Sequence, residues 1–287
     1  MTVLEVIQRS ADFLTKKGVD SPRLHAELLL AHLLQLPRMQ LYLDFQRELT
    51  PLEVESMREL VRRRGLREPV QQLTGSTSFC GLEITVTREV LVPRPETELL
   101  AECAWVFLKT PPQTSPPAPS ALDFGTGSGC LAIALATHCP GAHVRAIDIS
   151  PAALDVARQN AVRHGLEDRI QFFPGDGFAA LPEAEEFDLI VSNPPYIPSG
   201  EIRSLQPEVR DFEPRQALDG GSDGLDYYRR LAAEAAPWLR SGGRLMVEFG
   251  VGQADSLREV FSAQKWVVEA VKEDYNRCPR ILVAYRN

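Results

Sequence analysis

Two short stretches of this chain carry residues whose types and spacing can do chemistry. The first is Asn193-Pro194-Pro195-Tyr196, which follows the apolar run Phe187–Ser192 without a break. The two prolines stiffen the turn, leaving the Asn193 carboxamide oxygen and the Pro194 carbonyl few alternative orientations. Both are hydrogen-bond acceptors. A planar primary amide or an exocyclic amine presents two N–H donors that match them. An amide nitrogen is a poor nucleophile, because its lone pair is delocalised into the carbonyl. Hydrogen bonds from its N–H groups to Asn193 and Pro194 push density back onto nitrogen, and Tyr196 can stack on the amide plane. The chemistry implied is attack of that nitrogen on an activated methyl carbon. Positioning supplies much of the rate, a contribution on the order of 7–11 kcal/mol in well-oriented reactions. Neither a metal nor a covalent intermediate is required.

The second stretch is Asp123-Phe124-Gly125-Thr126-Gly127-Ser128-Gly129. Its glycines let the backbone approach a ligand closely where a strand turns into a helix. The spacing is G-x-G-x-G, whereas the dinucleotide fingerprint puts a glycine where this chain has Cys130, so a nicotinamide cofactor is disfavoured. The next apolar run, Val144–Ile147, ends at Asp148, where a carboxylate can accept from both hydroxyls of a ribose. Ser150 is the better cap for the helix that begins around Pro151. After the third run, Asp176 falls where an acidic side chain can reach an adenine amino group. Together these residues point to a nucleoside that carries the activated methyl group.

These residues need a scaffold, and the patterning supplies one. Apolar runs at Ala121–Phe124, Val144–Ile147, Ile170–Phe173, Phe187–Val191, Arg244–Phe249, Val267–Val271 and Ile281–Ala284 alternate with helical segments. Such alternation predicts an α/β fold with a mostly parallel sheet, in which ligands bind at the carboxyl ends of the strands. The last two runs are separated by too few residues for a parallel crossover, so one strand must run antiparallel. Thr110–Ser120 holds five prolines and reads as a surface loop. Pro198–Gly224 is long and glycine-rich, which suggests a mobile lid or docking loop, or a simple exposed connection.

Upstream, residues 1–74 read as a small helical domain. Ser21-Pro22 fits an N-cap with proline at the first helical position, and Thr50-Pro51-Leu52-Glu53 fits a capping box for a helix ending near Gly65. Arg58, Arg62, Arg63 and Arg64 fall on or beside the solvated side of that helix; the alternative is a docking patch for a ribosomal or RNA-bound partner. From residue 75 to 92 the period switches to two around Gly81, which predicts a β-hairpin joining the helical domain to the domain at 93–287.

Composition narrows the classes. A net charge of -8 argues against a broad phosphate-tracking surface, and residues 1–80 are nearly neutral, with 11 Lys/Arg against 10 Asp/Glu. The five cysteines form no C-x-x-C pair and no metal cluster with the histidines, which fits a reducing compartment. The longest apolar run, Cys130–Ala136, is far shorter than the roughly 20 residues of a membrane span. A cytoplasmic enzyme with no membrane partner and no direct nucleic-acid substrate is expected.

With these residues in place, the chain resembles the HemK/PrmC family of N(5)-glutamine methyltransferases that modify peptide chain release factors. The resemblance spans nearly the whole chain. It is carried by Pro93-Arg94-Pro95-Glu96-Thr97-Glu98, Gly125–Gly129, Asn193–Tyr196, and Glu213-Pro214 through Asp219-Gly220-Gly221-Ser222-Asp223-Gly224. It implies a Rossmann-like seven-stranded methyltransferase sheet with one antiparallel strand, a helical N-terminal domain that engages the release factor, and S-adenosylmethionine as methyl donor. By position, Gly125, Thr126, Gly127, Ser128, Gly129, Asp148, Asp176, Gly177 and Asn193 would hold S-adenosylmethionine. Asn193, Pro194, Pro195 and Tyr196 would hold the glutamine of a Gly-Gly-Gln loop, with Asn193, Pro194 and Tyr196 catalytic. Gly177 stands where some relatives place an aromatic residue beside the adenine, and Phe178 is the candidate to compensate. The same Asn-Pro-Pro-Tyr chemistry also serves adenine-N6 methyltransferases on nucleic acid, and a ribosomal protein is an alternative glutamine substrate. A non-catalytic nucleotide-binding adaptor is the reading from another class, opposed by the intact acceptors at Asn193 and Pro194.

Overall fold

The structure is a computed structural model that describes residues 1–110, 118–182 and 185–286; residues 111–117 of the proline-rich stretch lie outside the described residues. The chain divides into two units. One comprises Met1–Ser76 with Gln206–Phe212, and the other Thr77–Leu205 with Glu213–Asn287.

The first unit is helical: α1 (Val3–Lys16), α2 (Pro22–Leu34), α3 (Arg38–Leu43), α4 (Pro51–Gly65) and α5 (Val70–Thr74). Their apolar faces meet around Ile7, Leu14, Leu29, Leu30, Leu41 and Met57, all buried. The capping box at α4 is formed, with the Glu53 N–H donating to Thr50 Oγ1 at 3.2 Å and the Thr50 N–H to Glu53 Oε2 at 2.7 Å. Ser21 does not cap α2. It lies in the left-handed region at φ 50°, outside the extended conformation from which a cap oxygen reaches the first free amides, and only the Pro22 half of that expectation survives. Arg64 also departs from the solvated reading. Its side chain is only 3% exposed, because the returning segment 206–212 brings Glu208 Oε1 to within 2.7 Å of Nη2.

The second unit opens with the hairpin β1 (Ser76–Phe79) and β2 (Leu82–Thr85), whose first residue lies at the boundary between the units. Cys80 and Gly81 turn it with φ of 51° and 77°, the paired positive values that tight right-twisted hairpins require. Phe79 and Ile84 pack with Leu131 and Val144 into the core beneath the sheet. There follow α6 (Pro95–Lys109), β3 (Ser120–Phe124), α7 (Cys130–His138), β4 (His143–Asp148), α8 (Pro151–Arg163), β5 (Ile170–Pro174) and β6 (Phe187–Ser192). After a long segment come α9 (Asp226–Glu234), β7 (Leu239–Glu248), α10 (Ala254–Ala263), β8 (Val267–Glu273) and β9 (Pro279–Tyr285).

The seven strands from β3 to β9 form one sheet in the order β5-β4-β3-β6-β7-β9-β8. β9 is inserted between β7 and β8 and runs antiparallel to both; the other pairs are parallel. All seven expected strands are present, and the connection between the last two is a tight antiparallel return, as its length demands. β3 and β6 are neighbours with Asp123 opposite Val191, so their carboxyl ends finish side by side. The Ser192 hydroxyl donates to the Phe124 carbonyl at 2.6 Å and locks those ends together. The glycine loop and the Asn-Pro-Pro-Tyr loop therefore leave the sheet at adjacent points. No helix among the described residues is long and apolar enough to cross a membrane.

Candidate active site

The glycine loop after β3 is folded by its own backbone and by one buried acid. The Gly125 and Thr126 N–H groups both donate to the Ile147 carbonyl at 2.9 Å. Asp123, fully buried, accepts from the Thr126 hydroxyl at 2.6 Å and from the Ala132 N–H at 3.1 Å, which ties the loop to the start of α7. Burial pushes its carboxyl up to about 7, and Oδ1 has no partner. Gly125, Gly127 and Gly129 all have positive φ, but for two different reasons. A Cβ at Gly125 or Gly127 would project into open space, so there the missing side chain leaves room for a ligand. A Cβ at Gly129 would lie 3.0 Å from Ala157 Cβ, so that glycine serves the packing of α7 on α8.

Asp148, at the end of β4, accepts from the Gly127 N–H at 2.8 Å and from the Ser150 N–H at 2.9 Å. The Ser150 hydroxyl in turn accepts from the Ala153 N–H and caps α8, so Asp148 is not used as the cap. Burial raises the Asp148 carboxyl above the usual range, although backbone hydrogen bonds oppose the shift. Each of its oxygens keeps a lone pair for a diol. Fully buried Asn160 of α8 supports the loop from behind, donating to the Ser128 and Thr85 carbonyls at 3.0 Å each and accepting from the Thr85 N–H at 2.8 Å.

A cleft of about 250 Å³ opens above these groups. Its walls include Gly125–Ser128, Asp148, Asp176, Gly177, Asn193 and Pro195; Gly129, Pro194 and Tyr196 do not line it. Asp176 is exposed and paired with Arg230 of α9, whose guanidinium also donates to the Asp176 carbonyl at 2.8 Å. That guanidinium fills the space a side chain at Gly177 would need. Phe178 turns away from the cleft into the core, where its ring lies 5.0 Å from Phe124 and 5.6 Å from Trp238. It cannot compensate beside an adenine. Ile149, Tyr227 and Arg230 line that side instead.

At the other end of the cleft, Asn193 Nδ2 donates to Thr97 Oγ1 at 3.0 Å, which leaves its carboxamide oxygen unengaged by that contact. Tyr196 packs its ring against Gly250 and the apolar core, and burial pushes its phenol up to about 12. Its carbonyl accepts from Gln253 Nε2 at 2.9 Å.

Comparison with known proteins accords with this geometry. The family model for the PrmC N-terminal domain matches residues 5–75, and that for the methyltransferase small domain matches residues 102–205. The release factor glutamine methyltransferase of Geobacter sulfurreducens is 44% identical over 98% of this chain and 95% of its own length. That of Chlorobaculum tepidum is 45% identical over 97% and 95%. The chain belongs to the release factor glutamine methyltransferase family. A methyltransferase structure from Pyrococcus furiosus, 18% identical, covers 73% of this chain and 91% of its own with a TM-score of 0.52, a likeness of fold alone. The methyl donor that goes with the family is S-adenosylmethionine.

The stretches that resemble release factor glutamine methyltransferases hold the loops of this site in place. In Pro93–Glu98, Arg94 Nη2 meets both carboxylate oxygens of Glu213, at 2.7 and 2.6 Å. Pro95 starts α6, Thr97 receives Asn193, and Glu98 Oε1 accepts from the Cys80 N–H at 2.8 Å. Burial raises the Glu213 carboxyl, with Arg94 opposing, and Pro214, Gln216 and Ala217 beyond it join the cleft wall. Residues 218–221 then run alongside 197–199, with the Ile197 N–H donating to the Leu218 carbonyl, the Gly220 N–H to Ile197, and the Ser199 N–H to Gly221. A Cβ at Gly220 would meet the Pro195 carbonyl at 2.8 Å and Tyr196 Cα at 2.9 Å, so this glycine lets the strap lie directly on the Asn-Pro-Pro-Tyr backbone. Thr97, Glu213, Tyr227 and Arg230 were not singled out as site residues from the sequence. Only Thr97 and Glu213 carried a signal, each by lying in one of the motifs that resemble the family.

Proposed function

We propose that this chain transfers a methyl group from S-adenosylmethionine to the side-chain amide nitrogen of the glutamine in the Gly-Gly-Gln motif of a peptide chain release factor. The observation that carries the reading is that Asn193 and Pro195 share one cleft with Gly125–Ser128, while Thr97 occupies the Asn193 amino group. The Asn193 oxygen is then one acceptor for the two amide hydrogens of the substrate, and the Pro194 carbonyl, in the same turn but outside the cleft wall, is the other. When bound, S-adenosylmethionine supplies a methyl group on a positively charged sulfur. Gly125, Gly127 and Asp148 fit it: the two glycines leave the space, and the carboxylate has lone pairs for the ribose. Thr126, Ser128, Asp176 and Gly177 complete that wall, with Arg230 holding Asp176. The chain's own work is to orient the amide, draw its hydrogens away so that density returns to nitrogen, and keep the geometry in line.

The helical unit, as the part that engages the release factor, belongs to the same proposal. The purified protein should move a labelled methyl group onto the Gly-Gly-Gln glutamine, located by mass spectrometry. Asn193→Ala should reduce transfer by about 100-fold or more, the usual cost of removing a hydrogen bond made in the transition state. Equal transfer to DNA or to a ribosomal protein, or none to the release factor, rejects the reading.

A further inference from the structure

Glu248 closes β7 beside the Asn-Pro-Pro-Tyr loop, and its role is not accounted for by the reaction above. Its carboxyl is 1% exposed and Oε2 has no hydrogen-bond partner. The side chain of Thr97, 2% exposed, lies beside it and receives Asn193 Nδ2 at 3.0 Å. We propose that Glu248 is a positioning residue which, through the Thr97 hydroxyl, sets which end of the Asn193 carboxamide faces the substrate amide. The proposal rests on the reading of Asn193 as an acceptor for the glutamine.

The orientation is set by the hydrogen-bonding capacity of a single oxygen, Thr97 Oγ1. A threonine hydroxyl has one hydrogen to give and lone pairs with which to accept. An ionised carboxylate accepts only, so the hydroxyl hydrogen goes to Glu248. Thr97 Oγ1 can then only accept from Asn193, which must present its NH₂ and direct its oxygen elsewhere. A protonated Glu248 reverses the sense: it donates to Thr97, the hydroxyl hydrogen becomes free for Asn193 Oδ1, and the carboxamide turns over. The substrate would then meet an N–H where it needs an acceptor.

Burial, against the Thr97 hydroxyl and the charge of Arg280 on β9, pushes the Glu248 carboxyl up to about 7. Glu96 and Arg94 at the start of α6, Tyr196 after β6 and Tyr228 of α9 also face it, and the Tyr228 hydroxyl donates to the Glu248 backbone carbonyl at 2.8 Å. The relay therefore changes sense within the working range of an enzyme.

The test uses the full chain with a release factor, comparing Glu248→Gln, Thr97→Val and Thr97→Ser. Glu248→Gln and Thr97→Val should lower kcat by about 10- to 100-fold, the loss typical of a misplaced reacting group. Thr97→Ser should retain most of the activity. In the unmodified enzyme kcat should fall as pH drops through about 7, where Glu248 takes up its proton, and Glu248→Gln should lack that limb. The Asn193 side-chain amide resonances, assigned by their loss in Asn193→Ala, should titrate over the same range in the unmodified protein only. A Glu248→Gln enzyme with unchanged kcat and pH profile overturns the proposal; if that variant fails to fold, unchanged kcat in Thr97→Val does so. If the unmodified protein methylates no release-factor glutamine, the functional reading fails, and the relay stands or falls on the resonances alone.

Discussion

Replacing Glu208 with alanine would expose how the helical unit holds segment 206–212. Arg64 is 3% exposed and spends its guanidinium on three acceptors: His25 Nδ1 at 3.2 Å, the Glu68 carbonyl at 3.3 Å and Glu208 Oε1 at 2.7 Å. Arg67 Nη2 meets the other Glu208 oxygen at 2.7 Å. Burial alone would raise the Glu208 carboxyl, but hydrogen bonds from Arg64 and Arg67 hold it below the usual range, so the pair is formed and charged. Alanine leaves Arg64 buried without its anion. Breaking a buried pair from one side costs about 3–5 kcal/mol, and because Glu208 is itself 15% exposed and two neutral acceptors remain, the lower end, about 3 kcal/mol, applies here. With a urea dependence of about 1.5 kcal/mol per molar for a small unit, that is a shift of about 2 M in midpoint. Trp105, Trp238 and Trp266 all lie in the methyltransferase unit, so far-UV circular dichroism should register the loss while tryptophan fluorescence follows the other unit. Arg62→Ala, which removes an exposed ion pair with Glu59, is the control and should leave both transitions in place. A Glu208→Ala midpoint no lower than that of the control would refute the reasoning.

Three further outcomes follow from the same structure. Gly127→Ala, with φ of 53° but open space for the new Cβ, should cost about 1–2 kcal/mol of stability and weaken S-adenosylhomocysteine binding at least about tenfold by calorimetry, because the methyl group enters the cleft. Gly129→Ala adds a clash with Ala157 to the same backbone strain and should lower the melting temperature more than Gly127→Ala does. His25 is held neutral by burial and by the charge of Arg64, which lowers its pKa to about 4 from 6.5. Between pH 6.5 and 4 the unfolded chain takes up a proton that the folded one refuses, so the stability of the helical unit should decline across that window. His25→Asn, which retains an acceptor without titrating, should remove that part of the decline.

Much of the catalytic unit could be read from local pattern. Each strand of the large sheet is an apolar run bounded by turn residues, and the capping box at Thr50 and the cap at Ser150 are written within four residues. That the glycine loop, Asp148 and Asn193 share one cleft was legible for the same reason, since a sheet of parallel strands gathers its carboxyl-end loops wherever those strands pair.

What the sequence by itself determined is therefore the set of elements and the loops at their ends, because backbone periodicity and turn geometry depend on residues close in the chain. Only the tertiary structure decided the partners of the polar groups. Arg64 looked solvated until segment 206–212 returned to bury it, and Asp176 looked free for an adenine until Arg230 of α9 reached it. Thr97 meets Asn193, 96 positions away, and lies beside Glu248 only because β7 lies beside β6 and α6 begins above them. A hydrogen bond is set by ångström distances that no spacing along the chain encodes.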